Sequence, residues 1–338
     1  PLLTLTTLAS GSSGNCILLS GGGEHILIDA GISCRRICRS LRALGVEPES
    51  LSGVLITHEH TDHISGLATL TKQFRLPVYA SPGTARQLCY RIAALEDVLH
   101  ACAPGGSFTL GSLDVETFPT LHDAAEPMGY AVSCGEQKAA VVTDLGFVTD
   151  QVRAGMAGAG LVVVECNHDP DWVASSSYPY ALKRRILGDH GHLSNEAGGA
   201  LARDAVAHGA RAVVLAHLSS ENNTPEHARA AVERILSACG ALADGVTLAV
   251  APRSEPGPTY ALLIGETAML NISILCVGKL KERFYTEAAA EYVKRLGGYC
   301  RLNLAELPEE RLPERPSRAQ IDAALVREGE ALLQRIPK

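Results

Sequence analysis

The sequence predicts an α/β protein in which two β-rich blocks are flanked by helices. Strand and helix signals alternate as far as about Ala238, and two late strands are expected at 246–250 and 260–264. This alternation would also suit a doubly wound parallel sheet. The hairpin-like stretches at 1–29 and 108–144 argue against that alternative.

The first elements are short strands, expected at 2–8, 16–19 and 25–29. A helix is expected next at 34–44, with Ser33 as its N-cap and Gly45 as its C-cap. The segment Ser10-Gly11-Ser12-Ser13-Gly14-Asn15 lies between the first two strands. An ordinary hairpin loop is its simplest interpretation, because clusters of Gly and Ser are weak evidence of function.

The most informative segment is the turn between the next strand and helix, Thr57-His58-Glu59-His60-Thr61-Asp62-His63. The apolar run at 54–56 before it reads as a buried strand, and 64–71 has the apolar spacing of a helix. His58 and His60 are two residues apart and can face one ion, while Asp62 and His63 can face a second. Imidazole and carboxylate suit zinc, manganese or ferrous iron, and paired metals activate water for hydrolysis.

Three later residues each follow an apolar, strand-like run. His122 follows 115–118, Asp144 follows 140–143, and His217 follows 212–216. For any one of them alone, a core or surface role would be expected. Together with the earlier motif, the set suits a metal site at the edge of a sheet.

The H-x-H-x-D-H run resembles the signature of the metallo-β-lactamase superfamily, whose fold is a four-layer αββα sandwich. The resemblance implies that one metal is held by His58, His60 and His122, and the other by Asp62, His63 and His217. Asp144 would bridge both, and Asp62 would also orient the attacking water. The resemblance further implies that Asp29, at the end of the third strand, supports the metal loop from the second shell. A simple helix cap is the alternative for Asp29.

Five phrases in order resemble the WalJ (YycJ) family, cytosolic metallo-β-lactamase-fold proteins regarded as DNA exonucleases, over about residues 2–264. The phrases lie at 11–15, 143–146, 167–169, 191–195 and 215–223. The turn at 188–195, the helix after it and the strand that ends at His217 follow in an order that also resembles the RNA-cleaving branch of the superfamily, in which a histidine protonates the leaving oxygen. That match implies that His192 is the general acid. A histidine that caps a helix or fills a turn is the alternative, and Ser194 or Asn195 is expected to cap a helix running to His208.

Weaker candidates for second-shell or substrate contacts are Asn15, Asn195, Lys183 and Arg184. The basic triplet Lys183-Arg184-Arg185 could hold substrate phosphates, but a solvated helix face is the preferred interpretation. The charge of −9 up to residue 268 opposes a broad nucleic-acid patch. DNA binding is therefore expected around the metal cleft, where two cations supply positive charge.

The composition changes after a short polar linker expected at 265–268. From Met269 onward the charge is +2, and the pattern predicts a strand at 270–277, a helix at 285–296, a strand at 300–307 and a helix at 317–336. This segment resembles the N-terminal half of RlmH-type SPOUT methyltransferases of ribosomal RNA. That family binds S-adenosylmethionine in its other half, so the segment is expected neither to bind that cofactor nor to methylate RNA. Two interpretations of this segment are compatible with the sequence. It could associate with a second copy of itself, or it could result from the fusion of two neighbouring reading frames.

The composition of the 338 residues, 46% of them apolar, suits one large domain and a small one. No apolar run reaches membrane-spanning length. The N-terminus is expected to form a strand rather than a signal peptide. An initiator Met is expected to have been removed before Pro1. The ten cysteines are scattered without a C-x-x-C pair, which favours a reduced, cytoplasmic protein, and Cys166 is expected to be structural.

These observations predict a hydrolase with two divalent metal ions, most simply a phosphodiesterase or DNA exonuclease. A small-molecule hydrolase acting on a thioester, lactone or cyclic phosphodiester is one alternative, because the same ligand set serves all of these. A non-catalytic regulator is another, although the complete ligand set argues against it.

Overall fold

The computed structural model describes residues 2–262, 270–279, 282–296 and 300–335. The chain divides into two compact units, Pro1–Ile264 and Gly265–Lys338. The linker expected at 265–268 lies outside the described residues.

The first unit contains two seven-stranded sheets, with strand orders β14-β1-β2-β3-β4-β5-β6 and β13-β12-β11-β10-β9-β8-β7. The strands are β1 Leu3–Ala9, β2 Cys16–Gly21, β3 Glu24–Ile28, β4 Leu51–Leu55, β5 Val78–Ala80, β6 Leu99–Ala101, β7 Ser107–Leu110, β8 Leu113–Pro119, β9 Met128–Cys134, β10 Gln137–Val142, β11 Leu161–Glu165, β12 Ala212–Ala216, β13 Thr247–Val250 and β14 Thr259–Leu262.

Both sheets are mixed. In the first, β14, β1, β2 and β3 pair in antiparallel fashion, and β3 to β6 are parallel. In the second, β7 to β10 are antiparallel, and β10 to β13 are parallel. The expected hairpins at 1–29 and 108–144 are therefore present, and the doubly wound alternative is excluded.

The first unit also contains helices, some of which cover the outer faces of the two sheets. They are α1 Cys34–Ala43, α2 Thr61–Ile64, α3 Leu67–Phe74, α4 Pro82–Arg91, α5 Asp150–Met156, α6 Pro170–Ser175, α7 Tyr180–Ile186, α8 Asn195–Ala207 and α9 Pro225–Ala238. Short 3₁₀ turns occur at Pro48–Ser50 and Ala93–Leu95.

Three buried clusters make up the αββα sandwich. The middle cluster joins the two sheets face to face through residues such as Leu5 and Val163. One outer cluster packs α1, α3 and α4 on the first sheet, and the other packs α5, α8 and α9 on the second. Strand β11 is buried on both faces, since Val162 and Val164 face the helices while Val163 faces the other sheet. Such a strand reads as a continuous apolar run. The predicted fold class is confirmed.

The helical region after the motif differs from its prediction. One helix was expected at 64–71, but the structure has the short α2 followed by α3. The break is at Gly66, whose amide donates to the carbonyl of Ala30 at 2.9 Å. A side chain at Gly66 would lie 2.1 Å from the carbonyl oxygen of Ile32. This close backbone contact ties the loop to the strand beside it.

The second unit contains β15 Leu270–Val277, α10 Arg283–Leu296, β16 Cys300–Leu307 and α11 Arg318–Arg335. The two strands pair in parallel from Leu270 with Cys300 to Val277 with Leu307. The order of strands and helices agrees with the prediction. Among the described residues, no helix is long and apolar enough to cross a membrane.

Candidate metal centre

The motif residues lie in a loop between β4 and α2, at the carboxyl end of a parallel strand. His58 and His63 are fully buried, whereas His60 and the side chain of Asp62 are partly exposed. The loop therefore has some ligands anchored in the core and others facing a pocket.

The first predicted triad comes together. The nearest ligand atoms of His58, His60 and His122 all lie within 4.8 Å of one another. The imidazole of His58 lies edge-on to that of His60, with ring centroids 4.5 Å apart, and 5.0 Å from that of His122. Three imidazoles at this separation can converge on one cation.

The second predicted triad also comes together, again with ligand atoms within 4.8 Å. Oδ2 of Asp62 lies 3.4 Å from Nε2 of His63 and 3.4 Å from Nε2 of His217. One carboxylate and two imidazoles can hold a cation in the same way as the first set.

Asp144 lies between the two triads. Its Oδ2 is 3.3 Å from Nε2 of His63, and its Oδ1 is 3.4 Å from Nε2 of His217 and 3.8 Å from Nε2 of His122. One carboxylate group thus faces members of both triads.

The backbone is strained where this site is built. Asp29, Asp144 and His217 have φ values of 62°, 58° and 55°, and only one other non-glycine residue in the described part of the chain has a positive φ. Each of the three follows the carboxyl end of a strand, namely β3, β10 or β12. Non-glycine residues in this region cost free energy and cluster at functional sites.

The histidine rings are oriented by hydrogen bonds from Nδ1. The Nδ1 of His63 lies 2.7 Å from Oδ2 of Asp29, and the Nδ1 of His122 lies 2.9 Å from the carbonyl oxygen of Gly191. Because these oxygens only accept, each Nδ1 carries a hydrogen, and Nε2 is the ring atom left to bind a cation. The same arrangement orients metal-binding histidines generally.

Among the described residues, six buried side-chain atoms have no hydrogen-bond partner, and two of them belong to this cluster: Nε2 of His58 and Oδ2 of Asp144. An unsatisfied buried acceptor is costly unless something binds it. The donor set contains imidazole and carboxylate and suits divalent cations such as zinc and manganese.

Asp29 supports the loop rather than capping a helix. Its Oδ1 accepts the amide of Thr57 at 2.9 Å, and its Oδ2 accepts the hydroxyl of Thr57 at 2.9 Å. The following helix has Ser33 as its N-cap. Asp29 therefore fixes both the start of the loop and the ring of His63.

The loop of Asn15 is also part of this support. The amide of Asn15 donates to the carbonyl of Asp62 at 2.7 Å, and the amide of Gly31 donates to the carbonyl of Asn15 at 2.8 Å. The Nδ2 of Asn15 lies 3.1 Å from Nε2 of His63. An ordinary hairpin loop would not make these contacts.

Glu165, which the sequence did not single out, is the central carboxylate behind the site. It is fully buried at the end of β11. Its Oε1 lies 2.8 Å from Nδ1 of His217 and 2.8 Å from Nδ1 of His192. Its Oε2 accepts the amides of Leu145 and Leu193, each at 3.1 Å. The available signal was an acid that closes an apolar strand, as Asp29 also does.

His192 lies at the pocket surface with 21% of its side chain exposed. Its Nδ1 is held by Glu165, so Nε2 is its free nitrogen. The following helix is capped by Ser194, whose side chain accepts from Ala197. His192 is therefore not the cap.

Other candidates lie apart from the ligand cluster. The amide of Asn195 pairs with that of Asn223 in a buried contact at 2.8 Å. The Nζ of Lys183 donates to the carbonyl of Ala174 at 2.7 Å. Lys183 and Arg184 are absent from the pocket lining, which instead includes Arg185 of the same triplet. Cys166 lies in the core of the second sheet, and burial raises the pKa of its thiol.

The ligand cluster forms the floor of a pocket of about 250 Å³. Its walls come from the loops at 121–123 and 189–192, the segment 178–186 and the loop after β12. The lining residues are Ser12, His60, Asp62, His122, Asp123, Asp144, Asn167, Tyr178, Leu182, Arg185, Ile186, Gly191, His192, His217 and Ser219.

The two triads differ in their protonation in the metal-free chain. Burial lowers the pKa of His58 and of His122, so these rings are neutral. Burial would also lower the pKa of His217, but Asp144, Asp62 and Glu165 outweigh it and raise that pKa to about 10. The pKa of His63 is likewise raised, against the effect of burial, by Asp144 and Asp29. A cation at the second triad must therefore displace protons.

The carboxyls show the converse shift. Burial would raise the pKa of Glu165, but the imidazoles of His192 and His217 outweigh it and lower the pKa to about 2. The pKa values of Asp62 and Asp144 are also lowered by neighbouring histidines, although burial opposes this. All three groups are anionic at neutral pH.

Residues 24–218 match the family described as beta-lactamase superfamily domain. The exodeoxyribonuclease YycJ of Bacillus anthracis is 37% identical over 239 residues, which cover 70% of this chain and 90% of that protein. Among solved structures, the metallo-beta-lactamase fold protein YhfI from Bacillus subtilis superposes with a TM-score of 0.58 at 18% identity. It covers 77% of this chain and 100% of its own, and shares the fold.

Residues 270–338 match a second family, described as predicted SPOUT methyltransferase. The ribosomal RNA large subunit methyltransferase H of Limosilactobacillus reuteri is 46% identical over 67 residues. These cover 20% of this chain and 42% of that protein. Both resemblances predicted from the sequence are confirmed.

Proposed function

This chain belongs to the beta-lactamase superfamily and, within it, to the family of the YycJ protein, and on that premise we propose that it is a hydrolase that uses two divalent cations to cleave phosphodiester bonds in DNA. The observation that carries the proposal is the position of Asp144 between two complete triads. The first triad would hold one cation, the second triad the other, and Asp144 would contact both.

The ligand set favours zinc or manganese, with iron as a further candidate, because the groups contain imidazole and carboxylate without thiolate. When bound, the cations would lower the pKa of a coordinated water toward neutrality and offset the charge of the phosphate. The remaining chemistry is supplied by side chains of this chain.

Asp62 is the proposed orienting group for the water. Its side chain is 24% exposed, whereas that of Asp144 is 3% exposed. Asp62 can therefore contact both a cation and a solvent molecule in the pocket. As an anion at neutral pH, it accepts a hydrogen bond from that water.

His192 is the proposed general acid. Glu165 fixes its Nδ1, so Nε2 is available to protonate the leaving oxygen at the pocket surface. A phosphodiester needs such a donor because its alkoxide leaving group is poor.

The substrate class rests on the relative from Bacillus anthracis, which is named as an exodeoxyribonuclease. The pocket of about 250 Å³ is just below the usual size of small-ligand pockets, about 300–1,000 Å³. It suits a single nucleotide at the end of a DNA strand and is too small to admit a DNA duplex.

The test is a cleavage assay on end-labelled single- and double-stranded DNA and RNA. The chain is stripped with a chelator and reloaded with Mn²⁺ or Zn²⁺. We expect stepwise shortening of DNA from an end, restored by metal and abolished in Asp144→Asn. Hydrolysis of thioesters, lactones or cyclic phosphodiesters without cleavage of DNA would contradict the proposal, and so would equal activity in the chelated protein.

A further inference from the structure

Helix α7 forms one wall of the pocket yet contributes nothing to the core. None of its residues is buried. Leu182 and Ile186, one turn apart, line the pocket together with Tyr178, which lies just before the helix. This apolar strip lies beside the candidate metal-binding residues and is not packed into the protein interior. It is therefore available to contact a molecule bound in the pocket.

Arg185 is the positively charged side chain that this wall presents to the pocket. It is the one Lys or Arg among the pocket-lining residues in the described part of the chain. Its Nε pairs with Oδ2 of Asp123, another pocket-lining residue, and 55% of its side chain remains exposed. The guanidinium has further N–H donors, which can bind phosphate oxygens.

The neighbours of Arg185 do not share this position. Lys183 is engaged with the carbonyl of Ala174, and neither it nor Arg184 lines the pocket. Tyr180 is 76% exposed and also lies outside the lining, in contrast to Tyr178. The segment 178–186 therefore offers one arginine and one tyrosine to the pocket and keeps a matched arginine and tyrosine outside it.

We propose that the wall formed by residues 178–186 holds the terminal nucleotide of the substrate strand, with Arg185 on a backbone phosphate and Tyr178 and Leu182 against the base. This inference rests on the proposed function and specifies how the pocket recognises its substrate. Basic residues combined with aromatic rings are how proteins bind single-stranded nucleic acid without sequence preference. The pocket size points to the same occupant, a single unstacked nucleotide.

The pair with Asp123 fits this role. In the free protein, Asp123 holds Nε of Arg185, and the remaining N–H groups of the guanidinium can bind a phosphate. Asp123 also lies 3.3 Å from Nε2 of His122, so changes at Asp123 would disturb a ligand of the first triad. The test is therefore made at Arg185 and Tyr178.

The experiment compares Arg185→Ala with Arg184→Ala, and Tyr178→Ala with Tyr180→Ala, in the full metal-loaded chain. Single-stranded DNA is the substrate, and kcat, KM and metal content are measured. We expect Arg185→Ala and Tyr178→Ala each to raise KM about tenfold, with unchanged metal content. Arg184→Ala and Tyr180→Ala should stay within about twofold of the unchanged chain.

Two further readouts separate binding from structural damage. Arg185→Ala should reduce the slope of log affinity against log salt by about 0.7 on single strands, and Arg185→Lys should retain most of that slope. Affinity is measured by fluorescence anisotropy on an oligonucleotide with a phosphorothioate terminal linkage. Tyr178→Phe should bind as the unchanged chain does, because it keeps the ring.

The outcomes distinguish the two proposals. If the unchanged chain cleaves no DNA under any metal, the proposed function fails. If it cleaves DNA but Arg185→Ala matches Arg184→Ala in KM and salt slope, this inference alone is overturned. Loss of metal from Arg185→Ala and Arg185→Lys alike would also overturn it, since Arg185 would then support the metal centre.

Discussion

The Nδ1 atom of His192 lies 2.8 Å from Oε1 of Glu165, and the Nδ1 atom of His217 lies at the same distance from this oxygen. The other oxygen of Glu165 accepts two backbone amides, those of Leu145 and Leu193. These amides directly follow Asp144 and His192 in the chain. One buried carboxylate thus orients a candidate acid and a ring of the second triad, and fixes the backbone beside a third site residue.

Replacement of Glu165 by Gln should therefore impair both metal binding and turnover. Two amides and two ring N–H groups all donate to Glu165, and the NH₂ of Gln cannot accept from them. We expect a loss of about 10- to 100-fold in metal affinity or activity. Metal titration and kcat measure this, and Glu196→Gln on the exposed start of α8 is the control. Unchanged values in Glu165→Gln would contradict the role of the shared carboxylate.

Asp144→Asn tests the position between the triads. Asn tolerates the left-handed backbone that Asp144 adopts at φ 58°, so the fold should survive. The loss of the negative charge should abolish hydrolysis and lower metal content, as His58→Ala should do by removing a ligand. Elemental analysis of the purified protein reports the content. Normal metal stoichiometry with full activity in Asp144→Asn would exclude the bridging role.

The grouping of the candidate ligands was predictable because it depends on local spacing and on strand ends. His58 to His63 follow one strand, and an apolar run that stops at a polar residue marks His217. Glu165 was not predictable in this way. Its role arises from hydrogen bonds that it accepts from the amides of Leu145 and Leu193, which are far from it in sequence.

Which side of the short surface helix α7 faces the protein could also not be predicted from the sequence. Lys183, Arg184 and Arg185 are adjacent, and α7 buries no residue that would reveal which side faces the protein. Asn195 has a buried partner, Asn223, in a different loop. Both cases are decided by contacts between segments distant in the chain, which spacing alone does not encode.

His192→Ala should separate acid catalysis from metal binding. The ring lies outside the two triads, so metal should stay bound while turnover falls by about 10²- to 10⁴-fold. A nitrophenyl phosphodiester should be less affected, because its leaving group needs no protonation. The comparison of kcat for DNA and for the nitrophenyl substrate measures this. An equal decrease for both substrates, or loss of metal, would show that His192 is not the acid.

Metal uptake should depend on pH in a predictable direction. In the metal-free chain, the pKa of His217 is about 10, above its ordinary value of 6.5, and that of His63 is also raised. Protons on these rings stabilise the metal-free fold fully below pH 6.5, and this contribution is lost as pH rises toward 10. A cation must displace them, so metal affinity should increase with pH over this interval.

Proton release makes this measurable. Reloading the chelated protein with Zn²⁺ near pH 8 should release about two protons, one each from His63 and His217. Calorimetry in buffers of different ionisation enthalpy gives the number. His217→Ala should release about one proton fewer. Release that is the same in both proteins would contradict the assignment of a bound proton to His217.

Gly31 is where a single methyl group should damage the centre. A Cβ atom at this position would lie 1.6 Å from the carbonyl oxygen of Asp62 and 2.7 Å from the amide of Asn15. Both contacts are with backbone atoms, which cannot rotate away. Gly31→Ala must therefore move the loop that carries Asp62 and His63, at an overpacking cost of about 1–3 kcal/mol.

We expect Gly31→Ala to lower the thermal midpoint of the first unit and to weaken metal binding at the second triad more than at the first. Thermal unfolding and stepwise metal titration report the two effects. Gly329→Ala is the matched control, because a side chain in that helix meets nothing within 4 Å and alanine favours helix. If Gly31→Ala bound metal as tightly as Gly329→Ala, the backbone contact between Gly31 and Asp62 would not be what positions the second triad.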